Sequence, residues 1–379
     1  MENFISYNPT KVIFGKNVIG KLSENIGKYG KKILLVYGKG SIKNNGIYDN
    51  IISELSKNSF EIYEYSGIKS NPIIDDVRDA IKLGKQKKVD VVLAVGGGSV
   101  IDSAKIISLG IMSDDDAWDI MKYKVKVSKA LPIICVLTLA ATGTEMNSYA
   151  VVQNHETNEK IGFGNKLMSP TISFLDPSYT ISVSKNYTAY GIVDLISHSL
   201  ESYFGNGEAP LSDKFVYSII NEAIESGLKL VENLEDYKLR ANIMWASTCA
   251  LNGLTGYGRE NEDWGVHGIG HVLSLLYDVP HGASLSIVYP AWLKHHKEAI
   301  NNRLIDLGIN VFKTNTADET IIKIEELFSN LGSPIRLNNL KNNSIDNNEI
   351  FDALVKNKAT GYNHKLNEAD YKNIIYLMQ

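Results

Sequence analysis

Cysteine is scarce in this chain. Its 379 residues include two, Cys135 and Cys249, both in apolar surroundings that suit buried core thiols. Two cysteines do not make a disulfide framework, and their scarcity fits a reducing compartment. Long hydrophobic runs are missing too. The stretch Leu131 to Ala141 is among the longest, carries Pro132 and falls far short of a bilayer's thickness. The opening residues MENFISYNPTKVIFG have no basic segment leading into an apolar core, so they do not read as a secretory signal. A cytoplasmic location is the resulting expectation. Positive charge is not in excess: lysine and arginine total 39 against 43 acidic residues, for a formal net charge of −4. That balance does not favour a nucleic-acid partner. No repeat at solenoid spacing is visible, and the G-x-G-x-x-G dinucleotide fingerprint does not occur.

What is present suits two domains, since a chain of this length outgrows one compact core. The first half alternates between two periodicities. Strand-like runs at Lys32 to Tyr37, Phe60 to Tyr65, Val89 to Val95 and Pro132 to Leu137 are separated by helical spacing at Tyr48 to Leu55, Ile73 to Leu83 and Ser99 to Leu109. Such alternation predicts an α/β domain with a mostly parallel sheet covered on both faces. From about Tyr179 strand signals fade. Helical segments take over at Asn186 to Tyr203, Leu211 to Val231, Leu239 to Leu251, Gly265 to Leu275 and Ile321 to Leu331. The change falls near Asp176-Pro177, where proline interrupts regular structure. The predicted division is an α/β nucleotide-binding domain over 1–178 and an all-α metal-binding and substrate domain over 179–379. The asparagine-rich stretch Asn338 to Asn348 reads as a solvated loop with helix caps.

Three segments follow predicted strands and suit a ligand. Gly96-Gly97-Gly98-Ser99 lets backbone approach a phosphate, and the helix start behind it attracts an anion. Ser99 is expected to cap that helix or bond a phosphate oxygen, and Asp102 to cap or to bond a ligand hydroxyl. Gly38 to Lys43 lies where doubly wound folds meet the adenosine ribose. It has two glycines, Ser41, Lys39 and Lys43, and no acid. A loop of that kind accepts a ribose 2'-phosphate, which predicts NADP(H), with NADPH preferred. Thr138 to Glu145, rich in small and hydroxyl residues, is a third ligand-facing turn.

The second half carries a metal-binding pattern. Asp194 and His198 are spaced i, i+4 in GIVDLISHSLESY, and His267 and His271 share that spacing in WGVHGIGHVLSLL. On a helix each pair shares one face. His281 follows a short turn. One carboxylate with several imidazoles suits a first-row divalent ion, Fe²⁺ or Zn²⁺, and not every member need bind. A set of Asp194, His198, His267 and His281 leaves room for a substrate oxygen at a fifth position. His271 is then left to relay a proton or line the site.

At these residues the chain resembles the iron-containing alcohol dehydrogenase family, and within it the branch of NADPH-dependent butanol dehydrogenases and broad-range aldehyde reductases. The resemblance begins at Phe14-Gly15. It runs through GGGSVIDSAK, TLAATGTEMN, LDPSYT and GIVDLISHSLESY to DWGVHGIGHVLSLLYDVPHG, in the family's order and over nearly the whole chain. It implies a dehydroquinate synthase-like architecture: a nucleotide-binding α/β domain followed by a helical domain, with the site in the cleft. It implies metal ligation by Asp194, His198, His267 and His281, with Fe²⁺ first and Zn²⁺ accepted, and places His271 near the nicotinamide. Cofactor contacts are implied at Gly38, Ser41, Asn71, Gly97, Gly98, Ser99, Thr138, Thr142 and Lys160, with Lys166 nearby. It also implies a small alcohol or aldehyde substrate and a homodimer. Two departures stand out. Val183-Ser184-Lys185 replaces a proline that usually starts the helix of the Asp–His pair, and Ser184 is expected to cap it instead. Lys39 stands where this branch often has glycine. Glycerol-phosphate dehydrogenases and dehydroquinate synthase-like lyases share the architecture, but they need basic residues for anionic substrates. Arg259 is the one clear candidate near the histidines. A non-catalytic metal and nucleotide sensor is a third alternative.

Overall fold

The computed structural model describes residues 1–340 and 345–379; the centre of the asparagine-rich stretch expected as a loop, 341–344, lies outside the described residues. The chain divides into two compact units. One comprises Tyr7–Val183 with Glu235–Met244, the other Met1–Ser6, Ser184–Leu234 and Trp245–Gln379.

The first unit is built on eight strands: β1 (Lys11–Phe14), β2 (Lys32–Gly38), β3 (Glu61–Ile68), β4 (Val91–Gly96), β5 (Ile133–Leu137), β6 (Tyr149–Asn154), β7 (Glu159–Gly164) and β8 (Ile172–Leu175). Six of them form one sheet in the order β1-β8-β5-β4-β2-β3, with every neighbouring pair parallel. β6 and β7 pair antiparallel as a separate hairpin. The helices here are α1 (Leu22–Ile26), α2 (Ser41–Asn44), α3 (Ile47–Leu55), α4 (Ile74–Lys87), α5 (Gly98–Ile111) and α6 (Ala117–Met121). Because strand side chains alternate, the central strands feed two cores. Leu34, Val36, Val92, Ala94, Cys135 and Leu137 pack with α4, α5 and α6 on one face. Ile33, Leu35, Val91, Leu93, Ile134 and Val136 pack with α1 and α3 on the other. This two-sided burial explains why these strands read as nearly continuous apolar runs.

The second unit is helical: α7 (Lys185–Tyr203), α8 (Pro210–Leu230), α9 (Tyr237–Ala250, whose first residues belong to the sheet unit), α10 (Gly265–Tyr277), α11 (His281–His296), α12 (Asn301–Leu307), α13 (Ala317–Asn330), α14 (Asn347–Asn357) and α15 (Glu368–Leu377). α7 packs on α8 and α11, and α11 packs on α10 and α15. Among the described residues no strand follows β8, and no helix is long and apolar enough to cross a membrane. Cys135 is buried as expected, whereas Cys249 is only partly so.

Candidate metal centre and nucleotide loops

α7 is enclosed along most of its length: every residue from Gly191 to Tyr203 is buried. Ser184 caps its start, with Oγ accepting from the Tyr187 amide at 3.4 Å. Asp194 and His198 project from one face of this helix. α10 brings His267 and His271, and it ends at Asp278 in a left-handed conformation, φ 51°. Val279 and Pro280 complete the turn, so that His281 is the first residue of α11. Proline is tolerated at this N-cap, because an amide there has no partner within the helix. Gly282 is required next to it. A Cβ at that position would lie 2.0 Å from the Tyr190 carbonyl oxygen of α7, so only glycine lets α11 begin this close to the helix carrying Asp194.

The result is a convergence on one oxygen. The Nε2 atoms of His281, His198 and His267 lie 3.5, 3.6 and 3.8 Å from Asp194 Oδ1. The ligand atoms of Asp194, His267 and His281 all lie within 4.8 Å of one another; His198 is outside that set but approaches the same oxygen. These separations are too long for hydrogen bonds. Ligand bonds of about 2.0–2.2 Å in a tetrahedral shell set neighbouring ligand atoms about 3.3–3.6 Å apart; the 3.5 and 3.6 Å separations fall in that range and the 3.8 Å one lies just beyond it. Asp194 Oδ1 and His267 Nε2 are buried and make no hydrogen bond among the described residues. Orphaned buried groups cost about 1–3 kcal/mol each, and a shared cation removes that cost. The donor set therefore fits a divalent ion.

Electrostatics agree with the geometry. Burial raises the Asp194 carboxyl, but the facing imidazoles of His198, His281 and His267 outweigh it and hold it well below the usual range. Burial pushes His198 down to about 4. His267 is buried as well, yet it is pushed up to about 9 because it sits between the carboxylates of Asp194 and Glu201.

Glu201 is a member of the site that sequence reasoning missed. Its Oε1 accepts from the His267 ring Nδ1 at 2.8 Å and from the His267 amide at 2.9 Å, while Oε2 accepts from the Trp264 amide at 2.7 Å. A carboxylate on Nδ1 fixes the tautomer and turns Nε2 towards the ion position. The signal was available: Asp194, His198 and Glu201 recur at i, i+4 and i+7, on one helix face. The same carboxylate supports Trp264, whose backbone is left-handed at φ 66° and whose ring stands 5.0 Å from that of His267. His271 is partly buried, its ring centroid 5.5 Å from that of His281.

In the sheet unit several of the predicted cofactor residues, Gly38, Gly97, Gly98 and Thr138, fall at the ends of parallel strands, whereas Lys160 lies in the antiparallel hairpin, on β7. With β2 counted first, the strands β3-β2-β4-β5-β8 stand in the doubly wound order 2-1-3-4-5, whose reversal point lies between β2 and β4. Gly38 ends β2, Gly97 and Gly98 follow β4, and Thr138 follows β5, so these positions share one edge of the sheet. Gly98 meets a close neighbour there: a Cβ on it would lie 2.5 Å from Thr142 Cγ2. Ser41 begins α2. Asn71 and Lys160 are buried and bonded to each other, Lys160 Nζ donating to Asn71 Oδ1 at 2.8 Å.

Two expectations are corrected. Asp102 does not cap a helix. Its Oδ1 accepts from Thr144 Oγ1 at 2.6 Å and its Oδ2 from the Val151 amide at 2.9 Å, which ties α5 to the Thr144 turn and β6. Lys105 joins this network from full burial, donating to Thr144 Oγ1, Asn147 Oδ1 and the Tyr149 carbonyl. Ser99 lies inside α5, not at its cap, and its hydroxyl donates to the Ser70 carbonyl. The Gly38-to-Lys43 loop is also less purely basic than its sequence. Glu64, from β3, lies against it and accepts from Tyr37 and Tyr48.

Comparison with known proteins agrees with these features. A model of the iron-containing alcohol dehydrogenase family matches residues 9–177, and a model of the C-terminal part of the Fe-containing alcohol dehydrogenase family matches residues 188–378. The chain is 41% identical to a Bacillus subtilis protein named probable NADH-dependent butanol dehydrogenase 1, over 99% of each chain. It is 35% identical to an NADPH-dependent aldehyde reductase of Escherichia coli, over 89% of each. The crystal structure of an NADH-dependent butanol dehydrogenase A from Thermotoga maritima is similar with a TM-score of 0.95 and 39% identity, covering 100% of this chain and 99% of that one.

Proposed function

The chain belongs to the iron-containing alcohol dehydrogenase family, and from that premise we propose that it interconverts a small aldehyde such as butanal and its alcohol. The observation carrying this reading is the set of imidazole nitrogens 3.5–3.8 Å from Asp194 Oδ1, too far to bond it and correctly spaced to share an ion with it. When bound, the ion supplies Lewis acidity towards the substrate oxygen and the nicotinamide supplies or accepts the hydride.

The chain's own residues do the rest. Asp194 and His198 of α7, His267 of α10 and His281 of α11 hold the ion, Fe²⁺ first and Zn²⁺ accepted. Asp194 contributes one negative charge and the neutral imidazoles none, so the centre keeps a net positive field for a developing alkoxide. His271 moves the proton between solvent and the alcohol oxygen. Gly38, Ser41, Asn71, Gly97, Gly98, Ser99, Thr138, Thr142 and Lys160 hold the dinucleotide. Residues 1–178 serve the nucleotide and 179–379 the metal and substrate. The glycines and lysines of the Gly38-to-Lys43 loop support NADP(H), NADPH preferred. The NADH-dependent relative named above and the position of Glu64 favour NADH as the second reading. The protein works as a homodimer in the cytoplasm, and its two unbridged cysteines suit that compartment. A phosphorylated substrate is disfavoured: Arg259 is committed to Asp213, Nη2 to Oδ1 at 2.6 Å, and to the Thr255 carbonyl.

The test follows the loss of reduced-cofactor absorbance with butanal and added Fe²⁺ or Zn²⁺, for NADPH and NADH in parallel. Oxidation of either cofactor that depends on both metal and aldehyde is the expected result. No oxidation of either, with metal shown to be bound, would overturn the assignment.

A further inference from the structure

We propose that Glu64 sets the nucleotide selectivity of the sheet unit, by holding Lys43 against Tyr37 and Tyr48 and so withholding its charge from a ribose 2'-phosphate. The inference rests on the reading that the Gly38-to-Lys43 loop receives the adenosine ribose.

The arrangement follows from strand register. β2 and β3 are parallel neighbours, with Glu64 paired to Leu35. Tyr37 lies two residues further along β2, on the same face as Leu35. Its hydroxyl donates to Glu64 Oε2 at 2.7 Å. The Tyr48 hydroxyl of α3 donates to Oε1, also at 2.7 Å. Both carboxylate oxygens are thereby fixed, and the group is unable to leave this position without breaking two bonds. Lys43, in α2, folds back over this assembly. Its Nζ is 4.0 Å from Glu64 Oε2, 4.5 Å from the Tyr48 ring centroid and 5.2 Å from that of Tyr37.

Three attractions therefore act on one ammonium: a carboxylate at the outer limit of an ion pair and the negative faces of two rings. No direct hydrogen bond from Lys43 to Glu64 is formed at that distance, so the lysine is held by charge and can be taken by a stronger anion. A ribose 2'-phosphate is such an anion, but it must compete with Glu64 for the lysine and also meets the field of the carboxylate. A ribose hydroxyl faces neither cost. The loop sequence, read alone, has two lysines and no acid; the acid that offsets them comes from the neighbouring strand. Glu64 acts through Lys43 and is a positioning residue, touching no nucleotide itself.

Calorimetric titration of the metal-free full chain with adenosine 2',5'-bisphosphate and with adenosine 5'-monophosphate tests this without turnover. E64Q keeps an acceptor for one tyrosine and removes the charge. It is expected to tighten the bisphosphate about tenfold, the effect of one added charge-assisted contact, while leaving the monophosphate unchanged. K43M is expected to weaken the bisphosphate alone, and E64Q to give a smaller gain in the K43M background than in the unsubstituted protein, since only the direct field of the carboxylate is then relieved. Equal effects on both nucleotides, no effect of E64Q, or an unchanged gain from E64Q in the K43M background would each overturn the proposal. Should E64Q fail to fold, Y48F, which frees one carboxylate oxygen, is expected to shift selectivity in the same direction by a smaller factor, and no shift would count against it. Binding of neither nucleotide to the unsubstituted protein would sink the nucleotide reading together with this one. Binding of both with selectivity unmoved sinks this one alone.

Discussion

Replacing Glu201 by glutamine exchanges one oxygen of a side chain outside the proposed ligand set, yet the geometry predicts two separate losses. Three donors converge on this carboxylate: the His267 amide and ring Nδ1 on Oε1, and the Trp264 amide on Oε2. Glutamine has one acceptor oxygen. If that oxygen faces His267, its amino group meets the Trp264 amide donor to donor; the flipped rotamer places it against two donors of His267. The first arrangement leaves one buried donor unsatisfied, which costs about 1–3 kcal/mol of stability. The second loss concerns the metal. A ring N–H bonded to a carboxylate gains about 1.5–3 kcal/mol against about 1 kcal/mol for a neutral acceptor, and the difference reaches the ion through the basicity of His267 Nε2. Metal affinity is accordingly expected to fall about 10–100-fold, the range for outer partners of ligating histidines. Competition of Co²⁺ or Zn²⁺ between the protein and a chromophoric chelator measures the second loss, and chemical denaturation of the metal-free protein measures the first. A variant that loses stability while its metal affinity stays at the wild-type value would refute the orienting role of Glu201.

Three further outcomes are expected. His267→Ala abolishes retention of metal through gel filtration, whereas His271→Ala leaves metal bound and slows turnover about 10²–10⁴-fold; metal analysis beside kcat separates them, and identical behaviour would show that the division of roles is wrong. Gly98→Ala drives a Cβ to 2.5 Å from Thr142 Cγ2, a clash costing about 1–3 kcal/mol, and is expected to weaken dinucleotide binding in fluorescence titration without lowering metal content. Asp213→Asn removes the partner of Arg259 and Arg303 and is expected to cost about 2 kcal/mol at pH 7. Burial raises this carboxyl, but the two arginines outweigh it and hold it below the ordinary 3.8. The unfolded state then binds the proton first as pH falls, so the stabilisation is full above 3.8 and lost as pH drops through the folded value. The gap between wild type and variant should close there in pH-dependent denaturation.

What was legible in the sequence was whatever a single element's periodicity determines. VDVVLAV announces β4 because both of its faces are buried, and the i, i+4 pairs Asp194–His198 and His267–His271 lie on one face of any helix that forms. Elements whose identity depends on neighbours were hidden. β8 is four residues long, the polar turn between β6 and β7 masks the hairpin, and Pro290 inside α11 breaks the pattern of the helix that begins with His281. The supporting polar residues failed to show for the same reason. Glu201 and Glu64 look in sequence like solvated charges, and Asp102 like a cap or a partner for a ligand hydroxyl. Each owes its role to donors from other elements: His267 and Trp264 on or beside α10, Tyr37 and Tyr48 on β2 and α3, Thr144 and Val151 beyond α5. A ligand's chemistry is carried by its own side chain, so a metal-binding residue can be named from its type and spacing. An orienting carboxylate is defined by which donors reach it, and that is decided only when the helices and strands pack.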